Sequence, residues 1–435
     1  MLGVQQGGVR HATRYDTAML LPTRMVAWAL AGAFATAQDD VRDRVVRTDG
    51  REVNGRVVAP WAKDELVLVQ GGKRVRIART DVASMDLVGD RLRAFAERRV
   101  RQQDSTKAQQ FLVDQAQGAG LPGIARLQAM WLALRDDADE KAHRFLGHTK
   151  GPKGWLWEHD GKRMTREQLE VALAKSPMTL RGERFTLRLD GGLERSVAAL
   201  LDLELLGVAW FLQFGAELDL HEALEPIDVV ASRNGDAFPK WGFRPLPYYV
   251  PPPHGDEART FWFGPAPTRP ERLFFVGTQG LLYRSLIGEV DRQDDRDRVC
   301  AWLEVGLGMR MELTMQGPAG FAAPGPLRSK DVQALSALGR GYRLTHLLHL
   351  PMYGGFYLTD DTATATNWSA ATMFVGWLLE PDNQPATRAP FLAFVVAALR
   401  DRKGDSSSAF DKAMGTRVEN LDEPWRAWLA KTAGY

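Results

Sequence analysis

Residues 271–290, ERLFFVGTQGLLYRSLIGEV, and 297–314, DRVCAWLEVGLGMRMELT, decide how the rest of this chain is read. Apolar residues recur at helical spacing in both, and Phe275, Thr278, Leu282 and Leu286 fall on one face of the first. The acidic run 291–297 separates them, so the pair reads as two consecutive helices joined by a turn. Val305 lies on the second helix, placed to approach the Thr278–Leu282 face. Glu304 stands one residue away, about 100° around that helix, and points elsewhere. Tyr283, Trp302 and Glu304 would border a groove between the two helices.

Working outward, the chain's 435 residues are enough for two or three domains with a substantial core. A formal net charge of +2 gives no global field that would recruit nucleic acid or acidic membranes. A single cysteine, Cys300, excludes an intramolecular disulfide and a cysteine-based zinc site, and its apolar surroundings predict a small buried hydrophobe. Near the N-terminus, Arg24 precedes MVAWALAGAFATA, which ends in Ala35-Thr36-Ala37. A cation, a short apolar run and a small-x-small site predict a secretory signal peptide over residues 1–37, with translation starting at Met19 or Met25. The expected location is therefore exported: periplasmic, cell-surface or secreted. The later apolar stretch VAALLDLELLGVAWFLQF carries Asp202 and Glu204, and FLAFVVAAL is too short, so no spanning segment is expected in the mature chain.

Residues 38–90 alternate apolar and polar residues between turn signals at Asp49-Gly50, Asn54-Gly55 and Gly71-Gly72. Five short strands are predicted, closing into a small Sm-like β-barrel, with Arg74, Arg76 and Arg79 on a basic strand edge that blocks edge-to-edge pairing. From 91 to 176 the period becomes helical, giving a connector interrupted by a tight turn element around Trp155 and Trp157. There Thr165 and Gln168 form a capping box for the next helix. Residues 177–315 read as strand, long amphipathic helix (about 192–215), strand, Pro- and aromatic-rich loop, strand, then the helix pair. A Gly/Pro stretch (316–326) opens an all-helical region, 316–435. In it 335–353 is helical, Asn367 caps one helix, and Pro390 and Pro424 sit in the first turns of two others. The fold class is thus α+β and multidomain.

The order of elements in 178–435, together with the Trp302-Leu303 and Gly306-Leu307 framing, resembles bacterial secreted gluzincin-type (peptidase MA-like) metallopeptidases. In that family the first helix of the pair carries HExxH and the second a zinc-binding Glu within W-L-x-E-G. The HExxH geometry has a physical reason: two His at i and i+4 share a helix face, and the Glu takes a proton from metal-bound water. Here the corresponding positions are Thr278, Gln279 and Leu282 on the first helix and Val305 on the second. Leu282 and Val305 cannot bind a metal, Gln279 cannot act as base at neutral pH, and both imidazoles are missing. The resemblance therefore implies a non-catalytic relative with no metal or other cofactor, whose old cleft either binds an unknown protein or peptide partner or is packed as core.

Other chemistry is thinly represented. His346 and His349 stand at i, i+3 in LTHLLHL and could converge as metal ligands, but flanking leucines favour a core helix. His254, beside Asp256 and Glu257, and His221, beside Glu222, read as solvated loop residues; the alternative, an active hydrolase with an unrecognised site, would use His254 or the His346/His349 pair. No G-x-S-x-G elbow and no G-x-x-x-x-G-K-[ST] loop occurs. A third reading is a purely structural envelope protein that docks through the N-terminal strands.

Overall fold

The computed structural model describes residues 43–102, 105–238, 240–241, 244–245, 247–250, 257–262, 270, 272–287, 300–317, 342–356, 361–383, 386–400 and 406–433. The signal peptide, the acidic turn 291–297, the Gly/Pro stretch from 318 and His254 lie outside these residues.

β1 (Asp43–Arg47), β2 (Glu52–Val57), β3 (Glu65–Gln70), β4 (Lys73–Ala78) and β5 (Val82–Asp86) form one antiparallel sheet of order β4-β3-β2-β1-β5. The five predicted strands are present, but the barrel does not close: β4 and β5 end up at opposite edges. One reason is supply of apolar surface. Val45, Val57, Leu66, Leu68 and Ile77 fill a single face, and residues 83–86 of β5 are exposed. Arg76 on the β4 edge donates to Glu65 at 3.0 Å. Asn54-Gly55 is not a turn. Gly55 lies inside β2 where its pairing passes from β1 to β3, and a Cβ there would stand 2.7 Å from the Val69 carbonyl oxygen.

The connector is α1 (Val88–Arg101), α2 (Thr106–Gly118), α3 (Pro122–Arg135) and α4 (Glu140–Phe145). Ser105 and Asp139 cap α2 and α4 with their side chains, and Pro122 takes the first position of α3. The Trp155/Trp157 segment is more than a turn: β6 (Thr149–Gly151), β7 (Gly154–His159) and β8 (Lys162–Met164) form a three-stranded antiparallel sheet. The Thr165/Gln168 capping box then starts α5 (Arg166–Leu173).

β9 (Met178–Arg181), β10 (Phe185–Leu189), α6 (Leu193–Phe214) and β11 (Ile227–Ser232) follow. After a short ladder of β12 (Lys240–Trp241) and β13 (Arg244–Pro245) come β14 (Tyr248–Val250) and β15 (Glu257–Phe261). The sheet order is β14-β15-β11-β10-β9, with β10, β11 and β15 parallel and the outer strands antiparallel. Alternate residues Phe185, Leu187 and Leu189, and Ile227, Val229 and Ala231, are buried. α6 is long and apolar enough to cross a membrane, yet here it is mostly buried as a core helix between strands β10 and β11.

α7 (Leu273–Leu282) continues into a π-turn (Tyr283–Ile287), and α8 (Ala301–Gln316) packs on it. The remainder, among the described residues, is helices and turns: α9 (Leu344–Leu348), a π-turn (Met352–Phe356), α10 (Asp361–Leu378), α11 (Arg388–Val395), α12 (Ser406–Met414) and α13 (Asp422–Ala433). Within 335–353 the described α-helix is only Leu344–Leu348. Asn367 does not cap α10, which begins at Asp361. Its side chain instead donates to the Gly355 carbonyl at 2.7 Å and accepts from Tyr342 Oη at 3.0 Å, so a predicted cap serves as a tertiary tie. Pro390 and Pro424 do sit in the first turns of α11 and α13.

One apolar core runs from Val88 to Trp425, so connector, mixed sheet and C-terminal helices share a single interior. Glycines set its tightest approach. A Cβ on Gly306 of α8 would meet Val375 Cγ2 at 2.3 Å and the Ala371 carbonyl oxygen at 2.8 Å, both on α10. Gly306→Ala should therefore lower stability by about 1–3 kcal/mol, read as a loss of urea midpoint. Gly118→Ala, at the open end of α2, should change it by less than about 1 kcal/mol and in the stabilising direction.

Candidate functional site

α7 is buried along its whole length, Leu273 to Leu282. A helix apolar all round belongs inside a core, and the sequence LFFVGTQGLL meets that condition. Gly277 faces Leu203 and Leu206 of α6, and Gly280 faces Ile227 of β11. From the other side Gly308 of α8 admits the ring of Phe275, whose Cδ2 lies 2.6 Å from where a Cβ would be. Arg272, in left-handed conformation at φ 52, precedes the helix and offers no side-chain cap. The N-terminal N–H of Phe275 is instead answered by Glu312 Oε2 of α8 at 3.0 Å.

The positions singled out in the sequence are all inside. Relative exposure is 1% for Thr278, 8% for Gln279, 1% for Leu282 and 0% for Val305. The Thr278 hydroxyl donates to the Phe274 carbonyl of its own helix at 2.7 Å. Gln279 Oε1 is buried with no hydrogen-bond partner among the described residues. Tyr283, Glu304 and Trp302, expected to border a groove, are equally buried. Tyr283 Oη donates to Glu304 Oε1 at 2.5 Å, closing the π-turn against α8. Trp302 is enclosed by Phe374, Phe391, Phe394 and Phe410, with ring centroids 5.6–6.3 Å away. Among the described residues these side chains line no open groove; they fill one another's space.

No group of three His, Cys, Asp or Glu side chains that could hold a metal occurs among the described residues. His346 and His349 are exposed at the end of α9, and His346 meets Tyr342 edge-on at 5.8 Å. Cys300 is buried immediately before α8, as predicted.

A second polar centre escaped the sequence reading. Glu204, in the middle of α6, accepts from the backbone N–H groups of Glu183, Arg184 and Phe185 at 2.8, 2.9 and 3.0 Å, all at Oε1. Its other oxygen has no partner among the described residues. Gly182 makes room for it, since a Cβ there would lie 2.1 Å from Oε1. Burial pushes the Glu204 carboxyl up to about 7, against those N–H bonds. Around it, Glu183 Oε1 receives Gly123 N and Ile124 N at the start of α3, and Asp43 receives Val57 N and Val88 N, both at 2.6 Å. Burial raises both carboxyls. Arg184 is paired bidentately with Glu222 (2.5 and 3.2 Å) and lies over Phe211. Burial would raise Glu222, but that guanidinium outweighs it and holds the carboxylate low. A hollow of about 10 Å³, the size that holds one water, adjoins Arg184, Glu222 and Ser285. The sequence signal for the Glu204 centre is a carboxylate that, with Asp202, interrupts the leucine-rich stretch of α6.

With this geometry in view, no protein-family model, curated protein or solved structure matches the chain.

Two outcomes follow from the helix pair and its neighbour. Tyr283→Phe takes a donor from a buried carboxylate and should cost about 1–3 kcal/mol, whereas Thr278→Val, losing only a bond to its own backbone, should stay within about 1 kcal/mol; urea midpoints compare them. For Glu204 the folded-state value is raised, so its stabilising contribution is complete below its ordinary 4.5 and is lost as pH rises through about 7. Wild type should thus gain on Glu204→Gln as pH falls from 7 to 4.5, by up to about 1.4 kcal/mol per pH unit. A difference independent of pH would contradict the assignment.

Proposed function

We propose that this chain is an exported, non-catalytic relative of gluzincin-type metallopeptidases, in which the former catalytic helix pair has become structural core. The single observation that carries the non-catalytic part is the fate of the polar groups on α7 and α8. Thr278 bonds to its own helix, Glu304 receives Tyr283, and Glu312 caps α7. Metal-assisted hydrolysis needs ligands that converge on an open coordination position beside water; here the same positions hold Leu282 and Val305, buried at 1% and 0% exposure. The family relation is supported by the element order β10, α6, β11, β15, α7, α8, which is the order that the resemblance implies. Export is supported by Arg24, the apolar run that follows and Ala35-Thr36-Ala37.

With the cleft filled, the remaining role is structural or that of an interaction protein acting through other surfaces. Docking through the N-terminal strands is favoured by one observation: β5, at the edge opposite the arginine-rich β4, is unpaired on its outer side with another strand among the described residues. The deciding experiment is expression with the native N-terminus, followed by intact mass, metal content after zinc dialysis, and peptide hydrolysis. Expected are a mature chain beginning at Gln38, no stoichiometric zinc and no chelator-sensitive cleavage. Stoichiometric zinc with chelator-sensitive hydrolysis overturns the non-catalytic reading, and an unprocessed chain retained in the cytoplasm overturns export.

A further inference from the structure

The C-terminus of α4 sets two histidines against each other. Gly147 adopts φ 77, His148 N donates to the His143 carbonyl at 2.9 Å, and Gly147 N donates to that of Arg144 at 3.0 Å. This is a Schellman turn, which folds residue 148 back over residue 143 where an apolar contact commonly sits. Here the two Nδ1 atoms stand 2.8 Å apart. The His143 ring is fully buried and stacked on Trp155 at 4.5 Å, 6° from parallel, while His148 packs on Trp157 at 4.0 Å.

That spacing admits one proton between the rings, so one ring donates and the other accepts. His143 Nε2 is buried without a hydrogen-bond partner and faces Asp137 Oδ1 at 3.7 Å. The carboxylate favours a proton on that nitrogen, which makes His143 the acceptor at Nδ1 and His148 the donor.

We propose that the His143–His148 pair is an acid-sensitive latch holding the β6–β8 sheet on α4. A first proton enters at His148 Nε2 and leaves the shared bond intact. A second, also taken from solvent, must go to His143 Nδ1. Two N–H donors then confront each other at 2.8 Å, the rings part, and Trp155 and Trp157 lose their stacking partners. The charges around the pair pull both ways. Asp136, Asp137 and Asp139, before α4, favour the protonated His143 ring. Arg126 of α3 opposes charge on His148, and Lys150 of β6 lies over Trp155 at 5.7 Å. Burial outweighs the acids, holding His143 below its ordinary value and pushing His148 down to about 4. Folded-state values below the ordinary 6.5 mean that the latch contributes fully above 6.5 and weakens as pH falls toward 4, the opposite sign to Glu204.

Hydrogen exchange on the full chain, corrected for intrinsic rates, tests this between pH 7 and 4. The opening constant of residues 149–164 should rise by up to about tenfold per pH unit per proton taken up, with no matching rise in α6. His148→Gln, which keeps a donor but takes no proton, should flatten that dependence. Protection at 149–164 that is flat in wild type, or that falls equally in His148→Gln, overturns the latch. Should that variant fail to fold, imidazole nitrogen NMR of wild type decides: a shared-proton pair, uncharged at pH 6, is expected, and two rings titrating independently near the ordinary value overturn it.

Discussion

A helix enclosed by protein on every side has no water to answer its polar groups, and that desolvation constraint governs the centre of this molecule. α7 meets it with side chains, not solvent. Glu312 reaches across from α8 to its first turn, and the hydroxyls of Thr278 and Ser285 turn back to carbonyls four residues earlier. Ser285 also accepts from Trp210 of α6 at 3.0 Å and Tyr283 donates to Glu304 of α8, so the π-turn is tied to two neighbours at once. Gly277, Gly280 and Gly308 then let side chains of neighbouring elements pack directly against the helix backbones.

The same device recurs where the parts of the fold join. Asp43, Glu183 and Glu204 each place a carboxylate oxygen on backbone N–H groups of another element. Burying an acid costs free energy unless such donors meet it, so these contacts specify which elements may sit together. The apolar core alone would tolerate several arrangements of similar helices; the acids discriminate among them. They tie the N-terminal sheet to α1, α3 to the β9–β10 turn and that turn to α6, segments that the sequence reads as separate.

Much of the local structure was legible, and the failures have physical causes. The Thr165/Gln168 capping box and the span of α6 depend on residues adjacent in sequence, and both formed where the pattern put them. Asn54-Gly55 and Asn367 carry turn and cap signals that tertiary contacts redirected: one glycine is needed for a close strand approach, and one amide bridges two segments. Barrel closure required counting apolar side chains against the volume to be filled, which alternation does not reveal. At the helix pair, helical periodicity placed Thr278 and Leu282 on one face but could not tell a groove from a plug, because that depends on Trp368 and Val375 arriving from α10. Glu204 and the His143–His148 contact were missed for a similar reason. The partners of Glu204 lie on another element, and His148 meets His143 only because Gly147 closes a Schellman turn at the end of α4, a turn whose signal in the sequence is that glycine alone.

The acids of α6 also matter before any of this structure exists. An unfolded chain presents residues 193–214 as an apolar segment of bilayer-spanning length. Asp202 and Glu204 fall at its midpoint. A charged residue such as Asp at the centre of a would-be membrane helix costs about 2.5–3.5 kcal/mol, enough to bias the segment against partitioning into lipid. The carboxylate that organises the β9–β10 turn in the folded protein thus also lowers the lipid affinity of the same segment when it is unfolded.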